Sequence, residues 1–262
     1  MNNAPNIRIE VTEGAQIPDP RDRRLLNAWT LAFCVAVVAL VTLCATQPEP
    51  YLEIVKFLPD GLIITFEVTV LSLLCTLPIG LLTGLGRLSR NPVINLIAST
   101  YVEIIRGVPL LVQLFYIYYA LGRIIQVPPM VSAVIAISFC YGAYMGEVFR
   151  AGILSVPKGQ TEAARSLGMS FNRILAKIVI PQALRSSVLP MTNLFIAVML
   201  TTALGSQVPL KPQELTGVVS YINTRSLGGV AAFFISALGY LGTAFVVSHI
   251  GNYIDKKVRI LR

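Results

Sequence analysis

Four ionisable side chains interrupt stretches of this chain that are otherwise apolar: Glu67, Glu103, Arg106 and Glu147. A charge in hydrocarbon is costly, so residues of this kind mark ion pairs or solute pathways. Glu103 and Arg106 stand three apart, close enough on a helix for their side chains to share a face. Gly107 and Pro109 follow, and a proline removes a backbone donor and kinks a helix. A helix broken at mid-depth exposes backbone dipoles to a solute. The chemistry on offer is recognition, not bond making. Arg106 can hold a carboxylate through two parallel hydrogen bonds, Glu103 can balance an ammonium, and Gln113 or Tyr116 can read a side chain. A plainer reading stays open, in which Glu103 and Arg106 neutralise each other inside a bundle. Glu147, three before Arg150, reads as a structural pair, and Glu67 fits either role.

Covalent chemistry finds no support elsewhere. Cys34, Cys44, Cys75 and Cys140 all fall inside apolar runs, without metal-ligand spacing and outside any polar loop that a disulfide would staple. His249 is the one histidine and has no partners for a triad or a metal site. No G-x-x-x-x-G-K-[ST] phosphate loop occurs in the 262 residues. The chain is therefore expected to bind no cofactor or metal and to catalyse no reaction itself.

The elements that position these residues follow from composition. Hydrophobic residues make up 55% and charged residues only 13%, against about 25% charged in an ordinary soluble domain. Mean hydropathy is +0.70. Apolar runs of about 20 residues, the length that crosses a ~30 Å hydrocarbon layer, recur at 28–46, 61–85, 92–121, 130–149, 187–206 and 228–250. The expected fold is all-α, a polytopic transmembrane bundle of about six spans. Residues 1–26 read as a polar tail, 27–59 as an extra N-terminal span with an external loop, 60–255 as the transmembrane domain, and 256–262 as a basic tail. A cleaved signal peptide fits the first run poorly, because the polar stretch before it is long and no A-x-A site follows cleanly.

The net charge of +8 is a topology signal, since the cations lie between apolar runs. No basic patch with interleaved aromatics points to nucleic acid. With both termini in the cytoplasm, sixteen cations fall inside and four outside, with Arg106 in a span. That bias is strong, and six spans bring the chain back to its starting side.

The longest polar stretch between spans, 150–187, has its own structure. Thr161 suits an N-cap with Glu162 in the first turn. Ala163 and Ala164 favour helix and leave a low surface, and Gly168 suits a left-handed stop. Ser170 can cap a second short helix whose apolar residues Phe171, Ile174, Leu175 and Ile178 recur at helical spacing. Pro181 and Pro190 bracket the start of the fifth span. The product is a helical elbow that can insert into a groove on a partner. A solvated linker with some helical propensity is the blander alternative.

Here a resemblance becomes specific. The segment resembles the EAA motif of ABC importer permeases: Glu162-Ala163-Ala164, three residues, Gly168, nine residues, then Ile178-Val179-Ile180-Pro181, with Ile180 where the family has leucine. Tyr144 through Gly152, Pro157-Lys158-Gly159-Gln160 and Pro181-Gln182-Ala183 are similar to the polar amino-acid branch. So is Arg106-Gly107-Val108-Pro109-Leu110-Leu111-Val112-Gln113. The similarity spans roughly 60–255. It implies a coupling helix at Glu162, Ala163, Ala164, Gly168, Ile178 and Pro181 that docks on a separate ATP-binding subunit carrying ATP and Mg. It also implies a second permease subunit, identical or a sister chain, an extracytoplasmic solute-binding protein, and a place in the bacterial inner membrane.

Two departures bear on the solute. The fifth span offers Asn193, Thr201 and Thr202, but Leu200-Thr201-Thr202-Ala203-Leu204 stands where that branch has K-D-T-S-L, so two charges are missing. The first apolar run is also additional, as five spans are usual in the branch. The resemblance implies import of a polar or charged amino acid. An importer of an osmoprotectant or an opine is the nearer alternative, and a non-transporting membrane scaffold or sensor the more distant one.

Overall fold

A computed structural model of the chain describes residues 28–46, 48–209, 211, 213, 215–225 and 229–260. The tail expected over 1–26 lies outside these residues. Among the described residues every regular element is helical. In chain order they are α1 (Ala28–Thr46), α2 (Pro48–Arg87), α3 (Pro92–Gly107), α4 (Leu110–Phe115), α5 (Pro129–Leu154), α6 (Lys158–Ser166), α7 (Phe171–Ile174), α8 (Ile180–Thr201), α9 (Leu215–Arg225) and α10 (Gly229–Ile260).

Local chemistry sets several of these boundaries. The Asn91 carboxamide accepts from the Val93 amide at 2.9 Å, and Pro92 opens α3 where its missing N–H costs nothing. Pro129 does the same for α5. Pro59, Pro78 and Pro190 sit inside helices, as membrane helices tolerate when neighbouring groups re-satisfy the freed backbone.

The centre of the bundle is the pairing of α2 with α5, against which α8 and then α10 pack. Facing glycines bring the two backbones together. A Cβ on Gly80 would lie 2.6 Å from Met145 Cβ, and one on Gly84 would lie 2.8 Å from the Gly146 carbonyl oxygen. On the other side, Gly142 faces Ile79 at 2.5 Å and Gly146 faces Thr83 at 3.0 Å. Both helices thus carry a small-xxx-small pair, Gly80/Gly84 and Gly142/Gly146, the spacing that lets membrane helices gain van der Waals contact without a hydrophobic drive. Thr65, Thr69, Ser72, Thr76 and Thr83 are all buried on α2. Ser138 of α5 donates across the seam to the Ser72 carbonyl at 3.2 Å, and the Thr65 hydroxyl accepts from the Leu215 amide of α9 at 3.2 Å.

Among the described residues, four helices are long and apolar enough to cross a membrane: Leu58–Arg87, Pro129–Leu154, Phe171–Gln207 and Phe233–Lys257. The segments Pro92–Gly107 and Leu110–Arg123 bend by 101° at the Gly107–Pro109 break, and as one broken span they bring the number to five. The sixth expected span corresponds to α1, a shorter apolar helix. Its Phe33 ring stacks on Phe245 of α10 at 4.9 Å.

Three boundaries differ from the sequence expectation. Residues 48–59, read as an external loop, are the opening turns of α2. Tyr51, Val55 and Leu58 recur there at helical spacing and pack on Val219 and Ile235, so a buried stripe holds the segment helical. The fifth span starts well before 187, because α7, a π turn at Leu175–Val179 and α8 form one rod with a 3-10 turn at Thr202–Gln207. The basic tail is helical as far as Ile260, as the last part of α10.

The break after α3 leaves backbone carbonyls without helical partners. Gln113 of α4 resolves this: its buried side chain donates to the Ile105 carbonyl at 2.8 Å and the Val108 carbonyl at 2.9 Å. Replacing it with leucine leaves both carbonyls unpaired. Gln113→Leu is expected to cost about 1–3 kcal/mol, read as a lower midpoint of thermal unfolding in detergent. Gly84→Ala should cost about as much, because overpacking against backbone cannot be relieved by a rotamer change. Gly159→Ala, with no atom within 4 Å of the new carbon, should leave the midpoint unchanged or raise it. Equal midpoints for the Gly84 and Gly159 variants would show that the seam does not govern packing.

Candidate functional site

Two assemblies of side chains stand out, an elbow beyond the end of α5 and a cationic-aromatic cluster beside the α3–α4 break.

The elbow begins at Pro157, whose φ of −59° leads straight into α6. Lys158 and not Thr161 therefore opens the helix. The Thr161 hydroxyl turns back to the Lys158 carbonyl at 2.7 Å, and Glu162 falls in the second turn, not the first. The stop is as expected in kind: Gly168 has φ of +74°, the left-handed conformation that glycine adopts without strain. Its amide donates to the Arg165 carbonyl at 2.9 Å, and the Met169 amide donates to the Ala164 carbonyl at 3.1 Å. That bond pair is the Schellman closure, completed by an apolar contact across the turn. Here Ala164 is buried with Val156, Ile174 and Val179, and Met169 packs against them. Ser170 stands at the N-cap position of α7, without a side-chain capping bond.

This folding sorts the EAA residues by face. Ala164 and Ile178 point into the elbow's own small core, while Glu162, Ala163, Gly168 and Pro181 are exposed. One further contact was not legible in the sequence. The Gln182 side-chain amide donates to the Gln160 carboxamide oxygen, tying α6 to the start of α8 across 22 residues. A movement of α6 thus has a polar tie to the rod that becomes the fifth span.

In the second assembly, Glu103 and Arg106 are both exposed, and they form no ion pair among the described residues. The Arg106 guanidinium instead lies over the Tyr144 ring of α5, 4.9 Å from its centroid. A cation on a ring face is held by the ring quadrupole and keeps its donor fork free. Tyr144 adjoins Tyr141, ring centroids 6.0 Å apart. The Tyr141 hydroxyl lies 2.5 Å from Thr201 Oγ1, which itself donates to the Ala197 carbonyl at 2.6 Å. Arg106 of α3, the two tyrosines of α5 and Thr201 of α8 therefore form one connected strip. Sequence reasoning singled out the two ends and missed Tyr141 and Tyr144. Their spacing of three, one turn along a helix facing Arg106 and Thr201, was the available signal.

Other residues named from sequence sit elsewhere. Gln113 spends its donors on the break, and Thr202 is fully buried with its hydroxyl on the Met199 carbonyl at 2.7 Å. Asn193 is exposed on α8, outside the strip. Tyr116 is 66% exposed and lies in a π turn, Tyr116–Ala120, that continues α4. Glu147 holds an ion-paired knot: Arg87 of α2 reaches one carboxylate oxygen, and Arg150 reaches the other at 3.0 Å. That knot fixes the ends of α2 and α5 to each other, in keeping with a structural role.

The chain is 37% identical over 203 residues to the L-cystine transport system permease protein TcyB of Bacillus subtilis, covering 77% of this chain and 86% of that one. It is 34% identical over 200 residues to the probable glutamine ABC transporter permease protein GlnP of the same organism, covering 75% and 91%. Among solved structures, an amino acid ABC transporter with histidines matches with a TM-score of 0.73 and 33% identity, over 79% of this chain and 97% of that one. Residues 76–260 match the family described as binding-protein-dependent transport system inner membrane component, and the chain belongs to that family of ABC importer permeases.

Proposed function

We propose that this chain is the membrane-spanning half of an ATP-driven importer for polar or charged amino acids, and that it moves the solute without catalysing any reaction. Two such subunits, identical or sister chains, enclose the pathway. ATP-binding subunits carrying ATP and Mg dock on the elbow, and an extracytoplasmic solute-binding protein delivers the cargo. Both termini lie in the cytoplasm, as the cation bias favours. The names of TcyB and GlnP support an amino-acid cargo.

The observation that carries this reading is the elbow's construction. A short helix held by the Schellman closure at Gly168 presents Glu162 and Ala163 outward and is tied through Gln160 and Gln182 to the fifth span. Such an element passes a push on α6 into α8 with little slack. Nucleotide-driven closure of the partner would rock α8, which packs on α5 and carries Thr201 of the strip.

At the strip, Arg106 is placed to take the carboxylate of an amino acid. Thr201 supplies a neutral hydroxyl where a carboxylate would be the natural partner for an ammonium, so Glu103 on α3 is the acid nearest in sequence. This arrangement favours cargo recognised chiefly through its carboxylate.

Gly168→Val should uncouple the complex: ATP hydrolysis in proteoliposomes persists while solute uptake falls at least about tenfold. A β-branched residue at φ of +74° is strained, and Gly168→Asn, which tolerates that region, should retain more uptake. Unchanged uptake in the valine variant would remove the elbow from the coupling path. Arg106→Ala should raise the KM for uptake by about 10- to 100-fold, the worth of a charge-assisted hydrogen bond. Arg106→Lys should fall between, since an ammonium lacks the fork. An unaltered KM in the alanine variant would exclude Arg106 from cargo recognition.

A further inference from the structure

Beside the elbow lies a cleft of about 710 Å³, within the ~300–1,000 Å³ range of small-molecule sites. Its walls come from three elements that meet only in the folded chain. The end of α5 and the start of α6 give Ser155, Val156 and Gln160, and the rod from the Leu175–Val179 π turn into α8 gives Lys177, Arg185 and Leu189. The C-terminal part of α10 adds Asp255. Coupling and solute recognition, as described above, leave Lys177 and Arg185 unassigned, while Gln160, Pro181 and Gln182 of the elbow form the neighbouring wall of the cleft.

The lining is graded. Lys177 and Arg185 are both exposed, and neither has an ion-pair partner among the described residues. They stand eight positions apart, about two helical turns, so their long stems can converge on one group between them. Leu189 supplies apolar surface where α8 enters its apolar run, and Val156 and Ile178 of the elbow's core also border the cleft. A ligand that suits this cleft has an anionic head at the elbow and an apolar tail toward the bilayer. Lys177 and Arg185 offer two cations to that head, a set that suits one phosphodiester with an uncharged polar group.

We propose that this cleft holds the headgroup of an anionic phospholipid of the phosphatidylglycerol type from the leaflet that adjoins the elbow. Lys177 and Arg185 grip the phosphodiester and Leu189 guides an acyl chain. A lipid seated there touches α6, α8 and α10 together, on the same side as the Gln160–Gln182 tie. Basic pockets between spans at a membrane face bind anionic headgroups in this way. Occupancy would stiffen the elbow against the rod.

The test uses the complex purified from membranes and placed in nanodiscs of phosphatidylcholine alone, or with a third of the lipid as phosphatidylglycerol or phosphatidylethanolamine. Native mass spectrometry after delipidation should find phosphatidylglycerol retained by the wild type, and at least about threefold less retained by K177Q/R185Q. The charge-conserving K177R/R185K variant should restore retention, which separates loss of the site from loss of fold. Equal retention in the wild type and K177Q/R185Q overturns the proposal. So does equal retention of phosphatidylethanolamine, and so does displacement of the lipid by 10-fold excess inorganic phosphate, which would identify a free-anion site.

Discussion

A bilayer offers no water to a stranded backbone group, and that single constraint accounts for most of what is unusual in this chain. At the α3–α4 break a side chain takes up the freed groups, and at the end of α6 a specific turn does. Gln113 closes the end of α3 by donating to Ile105 and Val108. Tyr141 and Thr201 meet at the Ala197 carbonyl near the end of α8, just before the rod tightens into a 3-10 turn. Two buried hydroxyls on α2 turn back on their own helix, Thr69 to the Thr65 carbonyl at 2.6 Å and Thr83 to the Ile79 carbonyl at 2.7 Å. A polar side chain in a span is therefore first a structural expense, and only the surplus is available for recognition.

That accounting separates the strip of Arg106, Tyr144, Tyr141 and Thr201 from its surroundings. Gln113 and Thr202 have their donors committed within the fold, so they have little left to offer a solute. Arg106 is different. Its charge is stabilised by a ring face, an interaction that leaves all five N–H groups unspent. The absence of an ion pair with Glu103 matters for the same reason: a mutual pair would have satisfied both charges and silenced the site. The break at Gly107 and Pro109 places Arg106 on the last turn of α3, so bending the span and exposing its cation are one structural event.

The α2–α5 seam lets such a site be moved without being dismantled. Facing glycines fix the two helices at backbone contact, and the Arg87–Glu147–Arg150 knot pins the end of that pair nearest the elbow. α8 packs on this rigid pair, contributes Thr201 at one end and runs into the elbow at the other. A force on α6 reaches α8 through Gln160 and Gln182 and reaches the strip through α8's length. Rods on a rigid pair transmit displacement; a loose loop at 150–187 would absorb it.

What the sequence could and could not disclose follows from the range of each interaction. The all-helical class, the break at Pro109 and the left-handed Gly168 were legible, because each depends on residues within a turn or two. Thr161 misled for a physical reason. Its hydroxyl can accept from an N–H at a helix start or donate back to a carbonyl inside the helix, as it does here, and Pro157, which precedes the first residue of the helix, carries no capping group to draw attention. The loop expected over 47–59 failed similarly, because polar residues there hid a stripe of Tyr51, Val55 and Leu58 whose partners lie more than 150 residues away. Tyr144 under Arg106 and Gln182 on Gln160 were invisible as contacts, since each joins segments 22 or more residues apart whose registers only packing decides. The proposed pathway and coupling element rest on those distant pairs. Local pattern names the parts of such a machine, and the close approach of its helices decides which parts touch.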